Sequence, residues 1–139
     1  MKRWIAAVGL AGVLVPGLAL SAEIFEKVGT FDGHSTIELE LESMPNIYMG
    51  VIDDGLWFWS QLVESGDMLL GHCSQSLLRF LMQGCGFART EQMQLAEIDG
   101  QLQVRVLLAE SAYANAEQLA TTIEDYLAAL TTLCEIIRQ

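Results

Sequence analysis

The sequence predicts one α+β domain, with an antiparallel sheet of about five strands and two to three helices. Three observations support this fold class. Of the 139 residues, 52% are hydrophobic, which is enough to build a buried core. Several segments alternate apolar and polar side chains as half-buried strands do, and two others repeat apolar residues at helical spacing. Groups of antiparallel strands interrupted by helices are typical of α+β domains.

The chain is strongly acidic, with 18 Asp and Glu against 7 Lys and Arg and a formal net charge of -11 at pH 7. A negative surface repels the phosphates of nucleic acids and the head groups of anionic lipids. We therefore expect neither a nucleic-acid partner nor membrane insertion. Basic or apolar protein segments are the better partners.

Residues 1–22 differ in composition from the rest of the chain. Two basic residues precede an apolar run from Trp4 to Leu20, which is the arrangement of a secretory signal peptide, although Pro16 interrupts the run. Three interpretations stay open: a cleaved signal peptide, a buried first helix, or a start region that is not native to the domain. Residues 23–139 are expected to form a single domain.

The first group of predicted strands covers residues 35–63. From Ser35 onward, isoleucine and leucine alternate with glutamate, which places the apolar side chains on one face and the acidic ones on the other. The apolar runs Ile47–Asp53 and Leu56–Val63 are the next two strands. Asp54–Gly55 between them predicts a tight hairpin, because both central residues of a type I′ turn need positive φ.

A second hairpin is predicted further along the chain. Gln92–Ile98 and Gln101–Glu110 flank Asp99–Gly100, which repeats the same turn signal. The second of these strands alternates apolar residues with Gln103 and Arg105, so one of its faces is expected to be buried.

Two helices complete the predicted order. Asp67 to about Gln83 has apolar residues at helical spacing and is followed by two glycines that favour a helix end. The last segment has a longer apolar stripe, and Asn115 with Gln118 three residues later resembles a capping box at its start. A third helix is added if the segment from Trp4 folds onto the domain.

The side chains that usually carry chemistry form no recognisable site. His34 and His72 are the only histidines, and neither lies in a metal-ligand spacing. Cys73, Cys85 and Cys134 include no CxxC pair, so free thiols are expected, as in a reducing cytosol. Adjacent helical residues point about 100° apart, so His72 and Cys73 would not face each other. We expect no catalytic residue, metal or cofactor; an enzyme using these two residues ranks last.

The apolar residues Trp57, Phe58 and Trp59 are consecutive in the second strand of the first hairpin. On a strand, the two tryptophans face one side and Phe58 faces the other. Two interpretations stay open: both faces belong to the core, or one face is an apolar groove for a peptide segment of a partner.

Five segments together resemble a known family. Residues 32–37, 43–47, 53–62, 82–89 and 100–103 are similar, in the same order, to the invasion protein B (SpaK-type) chaperones of bacterial type III secretion. The segment 53–62 matches the tryptophan-bearing strand of that family. The resemblance covers about Phe31 to the C-terminus, whereas the apolar stretch before it departs from the amphipathic first helix of the family.

The resemblance implies a type III secretion chaperone fold and a small acidic cytoplasmic homodimer without enzymatic activity. Such chaperones bind the N-terminal region of effector proteins, keep it extended and non-globular, and deliver it to the secretion apparatus, whose components are further possible partners. An extended segment can add to a sheet edge and place alternate side chains in apolar pockets. The expected partner-binding residues are the apolar strand positions Ile47, Met49, Trp57 and Trp59, each of which also fits the core.

The dimer contact is expected on the helix Asp67 to Gln83, because an α+β domain with one thin sheet leaves a face of this helix to cover. The residues assigned to this contact are Leu70, Leu77 and Leu81. The alternative to the chaperone is an exported small binding or structural protein, periplasmic or secreted, whose residues 1–22 are cleaved as a signal peptide.

Overall fold

The computed structural model describes residues 3–8 and 36–139, which form one mixed sheet and two α-helices. The strands are β1 Arg3–Val8, β2 Thr36–Leu41, β3 Ile47–Ile52, β4 Gly55–Glu64, β5 Gln94–Ile98 and β6 Gln101–Leu107. Their order in the sheet is β1-β2-β3-β4-β6-β5, and all pairings among β2 to β6 are antiparallel. The predicted α+β fold with five antiparallel strands is therefore confirmed.

The additional strand β1 was not predicted. Arg3–Val8 pairs in parallel with β2, from Arg3 opposite Thr36 to Val8 opposite Leu41. These residues are therefore a strand and not the start of a helix, because the open edge of β2 offers hydrogen-bond partners that the sequence of a short apolar run does not reveal. The rest of the apolar run lies outside the described residues, so the signal-peptide interpretation stays a prediction.

Both hairpin turns are tight, but the first is displaced by one residue from the prediction. Its central residues are Asp53 and Asp54, with φ of 50° and 63°, and Gly55 already belongs to β4. Aspartate tolerates the left-handed region better than most residues do. Gly55 has another role: a Cβ there would lie 2.6 Å from Leu107 Cδ1.

The second hairpin has the predicted turn, with Ile98 pairing Gln101 across Asp99 and Gly100. Gly100 has a φ of +77° and open space around it. Replacing Gly100 by alanine is therefore expected to lower the free energy of unfolding by about 1–2 kcal/mol through backbone strain alone. Chemical denaturation measures this loss, and Gly86→Ala is the control, because Gly86 also has open space but no such φ. An equal loss in both variants would contradict the explanation.

Two helices, α1 (Asp67–Met82) and α2 (Ala116–Arg138), follow the strands that the sequence predicts before them. Asn115 Oδ1 accepts a hydrogen bond of 2.9 Å from the Gln118 backbone N–H, so the predicted N-cap of α2 is confirmed. A short 3₁₀ turn, Glu110–Tyr113, leads into this cap.

Helix α2 covers one face of the sheet. Phe58 of β4 meets Tyr126 of α2 edge to face, with ring centroids 5.4 Å apart, and the Tyr126 hydroxyl shares a hydrogen bond of 2.9 Å with Ser60 Oγ. Helix α1 contributes Cys73 and Leu77 to the same core. This arrangement leaves the opposite face of the central strands without contacts to α2.

The buried pair of hydroxyls predicts a loss of stability in Tyr126→Phe. Removing one partner leaves the Ser60 hydroxyl buried without this bond, which costs about 1–3 kcal/mol. Burial also raises the pKa of Tyr126 above its ordinary value. The contribution of this group to stability is therefore complete below about pH 10, where unfolded tyrosine begins to ionise, and is lost as the pH rises further.

Denaturation of the wild type and Tyr126→Phe between neutral and alkaline pH tests both statements. The variant is expected to be less stable at neutral pH and to lose less stability above about pH 10. The double variant Ser60→Ala with Tyr126→Phe serves as the control, since removing both partners is expected to recover part of the loss. The role of the hydrogen bond would be contradicted if the double variant lost as much stability as Ser60→Ala and Tyr126→Phe lose together.

Candidate functional site

The sheet face opposite α2 carries a row of aromatic and apolar side chains that we call the tryptophan face. It is formed by Tyr48 of β3, Trp57 and Trp59 of β4, and Arg105 and Leu107 of β6. Side chains alternate along a strand, so both tryptophans point away from the face on which Phe58 meets α2. Both tryptophans are half-buried.

Strand register places these side chains opposite one another on neighbouring strands. Trp59 lies opposite Tyr48 on one side and opposite Arg105 on the other, whereas Trp57 lies opposite Leu107. The rings of Tyr48 and Trp59 are stacked, with centroids 5.8 Å apart and planes within 14°. Stacking restricts the rotamer freedom of Trp59, so this side chain loses less entropy when a partner binds to it.

An open cavity of about 350 Å³ lies on this face. Gly55 contributes no side chain to it, and the Leu107 side chain occupies the space that a Cβ at Gly55 would need. Ile52 at the rim is 53% exposed, so the cavity has apolar surface that water still reaches. The cavity is lined by Ile52, Asp53, Gly55, Trp57, Trp59, Arg89, Gln103, Arg105 and Leu107.

Two arginines give the cavity a polar wall. Arg105 donates from Nε and Nη2 to Gln103 Oε1, at 3.2 and 2.8 Å, which holds the guanidinium beside Trp59. Arg89 is exposed, and its backbone N–H donates to the Leu107 carbonyl at 2.8 Å. The sequence did not point to either arginine. Arg89 lies in an irregular segment, and the tryptophans that line the cavity with Arg105 are distant from it in sequence.

The four residues predicted to bind a partner separate into two pairs. Trp57 and Trp59 line the cavity, but Ile47 and Met49 are fully buried on the α2 side. The reason is register: Met49 lies opposite Phe58, so it shares the face of Phe58 and not that of the tryptophans. In this fold, Ile47 and Met49 occupy core positions.

The three residues predicted for a dimer contact lie together. Leu70, Leu77 and Leu81 line a second groove of about 440 Å³ between α1 and the β5–β6 hairpin. Leu77 is almost fully buried, whereas Leu70 is 37% exposed. Sequence reasoning missed Leu78 in the same groove, although it is 58% exposed. Among the described residues, four of the six exposed large hydrophobic side chains belong to α1: Met68, Leu70, Leu78 and Met82.

The histidine and cysteine on α1 do not form a reactive pair. His72 is exposed and contacts the Gln139 carbonyl, whereas Cys73 is buried and donates its thiol to Leu69 O at 3.2 Å. The three cysteines are free, as predicted, and burial raises the pKa of the thiols of Cys85 and Cys134, which lowers the fraction of reactive thiolate at neutral pH.

The part of the chain that the structure describes holds no group of three or more His, Cys, Asp or Glu side chains placed to bind a metal ion. None of its helices is long and apolar enough to cross a membrane. His34 lies outside the described residues.

Comparison with known proteins identifies relatives of this sequence and fold. Residues 25–99, more than half of the chain, match the invasion protein B family. The surface presentation of antigens protein SpaK, from Salmonella typhimurium and from Salmonella typhi, is 33% identical over 99 residues, which are 71% of this chain and 73% of SpaK.

A solved structure is similar in fold. It is a chain of the heterodimeric complex of ExoU and SpcU, from the type III secretion system of Pseudomonas aeruginosa. The TM-score is 0.51 at 18% identity, and the match covers 73% of this chain and 81% of that chain. The fold that the sequence resemblance implied is thereby confirmed. This chain therefore belongs to the invasion protein B family, the SpaK-type family of type III secretion chaperones.

Proposed function

We propose that this chaperone binds the N-terminal region of effector proteins, keeps that region non-globular and delivers it to the secretion apparatus. The observation that carries the proposal is the tryptophan face, where half-buried rings surround an open apolar cavity. Aromatic side chains in such a position are the commonest anchors of protein binding.

The physical basis is selective binding of an extended chain. An extended segment presents every second side chain to the same surface, so apolar residues two positions apart can enter the cavity beside Trp57 and Trp59. A protein that binds the extended form and not the folded form shifts the equilibrium toward the extended form by mass action. This mechanism requires no catalytic residue, metal or cofactor in the chaperone.

We also propose that the chaperone is a homodimer whose subunits meet at α1. The support is the groove lined by Leu70, Leu77, Leu78 and Leu81, together with the concentration of exposed apolar side chains on that helix. A second copy of the chain would cover this surface, and an apolar surface of this kind is typical of contacts between subunits.

The cytoplasm is the location in which a chaperone of this kind meets its effector before secretion. Intact-mass measurement of the protein from its own cells tests this location, and we expect residues 1–22 to be retained. A mature chain that starts at Glu23 would instead support the exported binding or structural protein.

Co-expression tests the proposed function directly. The chain is produced together with about the first 100 residues of a secreted protein encoded beside it. This length exceeds that of the smallest domains, which have about 50 residues. A stable complex that protects part of the fragment from protease is expected. The C-terminal domain of the same secreted protein is the control. Failure to capture any such N-terminal fragment would contradict the proposal.

A further inference from the structure

Positive charge is scarce in the described domain and is concentrated at one place. Between residues 36 and 139 the basic side chains are Arg79, Arg89, Arg105 and Arg138, in a chain whose net charge is -11. Two of the four, Arg89 and Arg105, line the cavity on the tryptophan face. Asp53 is the one acidic side chain in the same lining, so the charged groups of the cavity sum to a positive charge. A surface that repels acidic segments elsewhere therefore contains a site at which a carboxylate is attracted.

Arg105 is held in a position to accept such a group. Its Nε and Nη2 both donate to Gln103 Oε1, a neutral acceptor, so this partner orients the guanidinium without neutralising its charge. Gln103 is itself buried, which keeps the pair in place. A guanidinium fixed in this way loses less entropy on binding than a free side chain does, and it can donate two parallel hydrogen bonds to a carboxylate.

The apolar part of the cavity lies directly beside the charge. Arg105 and Leu107 are two positions apart on β6 and face the same side, so their side chains are separated by about 7 Å, the repeat of an extended strand. An extended segment has the same repeat. One of its apolar side chains can therefore meet Trp57 and Leu107 while a neighbouring carboxylate meets Arg105, with Arg89 at the rim.

We propose that this cavity selects partner segments in which an Asp or Glu lies within two positions of a large apolar residue. The inference rests on the proposed function and adds a rule of recognition to it. The overall acidity of the chaperone favours basic stretches elsewhere along a partner, whereas the cavity requires the opposite charge at one position.

Selection from a random dodecapeptide library displayed on phage, with the full chain as bait, tests the rule. The enriched peptides are expected to carry Asp or Glu within two positions of a large apolar residue. Arg89→Gln with Arg105→Gln is expected to lower the affinity for the tightest of these peptides by about tenfold or more. The matched control is Arg79→Gln with Arg138→Gln, which removes the same charge away from the cavity and is expected to change little.

Charge reversal separates recognition from a structural role. Arg105→Glu is expected to bind the acidic peptide more weakly than the wild type does. The same variant is expected to bind more tightly a peptide in which lysine replaces the carboxylate residue, a gain that a loss of folding would not produce. Enrichment of apolar peptides without a carboxylate would overturn the inference and leave the proposed function standing. A wild-type chain that enriches no peptide would count against both.

Discussion

Replacing Trp57 and Trp59 together by alanine is expected to weaken the complex with an effector N-terminal fragment by about a thousandfold. Truncating an anchor residue of this type weakens the binding free energy by about 2 kcal/mol or more, and each change of about 1.4 kcal/mol alters the Kd tenfold. Both side chains line the cavity, and Trp59 is held in place by its stacking on Tyr48. Isothermal titration calorimetry of the wild type and the variant measures the difference.

The matched control for this experiment is Ile98→Ala. Ile98 is an exposed apolar residue on β5 that does not line the cavity, so its loss is expected to change the Kd by less than about threefold. Because Trp59 also contributes to packing, the folded fraction of each variant is measured by thermal unfolding, and Trp57→Phe with Trp59→Phe is included as a milder change. Unchanged binding in the folded alanine variant would contradict the assignment of this face.

Leu78→Asp is expected to convert a dimer of the 15.3 kDa chain into a monomer. Leu78 is 58% exposed in the subunit, so aspartate there is solvated in the monomer and costs little. In the dimer the same carboxylate would be buried in an apolar groove, which costs several kcal/mol and raises the dimer Kd by more than about a hundredfold. Light scattering coupled to size exclusion measures the mass.

An exposed position on the other helix provides the control. Ala128→Asp adds the same charge to α2 away from the groove and is expected to leave the mass unchanged. Thermal unfolding confirms that Leu78→Asp is still folded. A wild-type chain that is monomeric at micromolar concentration, or a Leu78→Asp variant that remains dimeric, would contradict the proposed contact.

Local sequence signals predicted most of the secondary structure, because each of them acts over a few residues. Asp99–Gly100 supplies the positive φ values that a two-residue hairpin needs, and Asn115 caps α2. The first turn differs by one residue, since Asp53 also adopts positive φ and Gly55 is required by the close approach of Leu107. A turn signal locates a hairpin but does not choose between adjacent registers.

The candidate site was only half predictable. Period-two alternation places Trp57 and Trp59 on one face, but it does not relate that face to residues of another strand. Met49 lies opposite Phe58, so Ile47 and Met49 are in the core, a result of register that no local pattern contains. The three leucines expected at the dimer contact were easier to place together, because Leu70, Leu77 and Leu81 lie on one helix and their spacing alone puts them on one face.

The sequence by itself determined the acidity, the α+β class, the order of β2 to α2 and the family, since composition, periodicity and ordered motifs are properties of the chain. Only the tertiary structure decided which side of the sheet α2 covers, that Arg3–Val8 pairs with β2, and that Arg89 and Arg105 line one cavity beside two tryptophans. Contacts between residues distant in sequence depend on strand register and on which face the helices bury. The chemistry of the cavity is therefore a consequence of packing and not of any single segment.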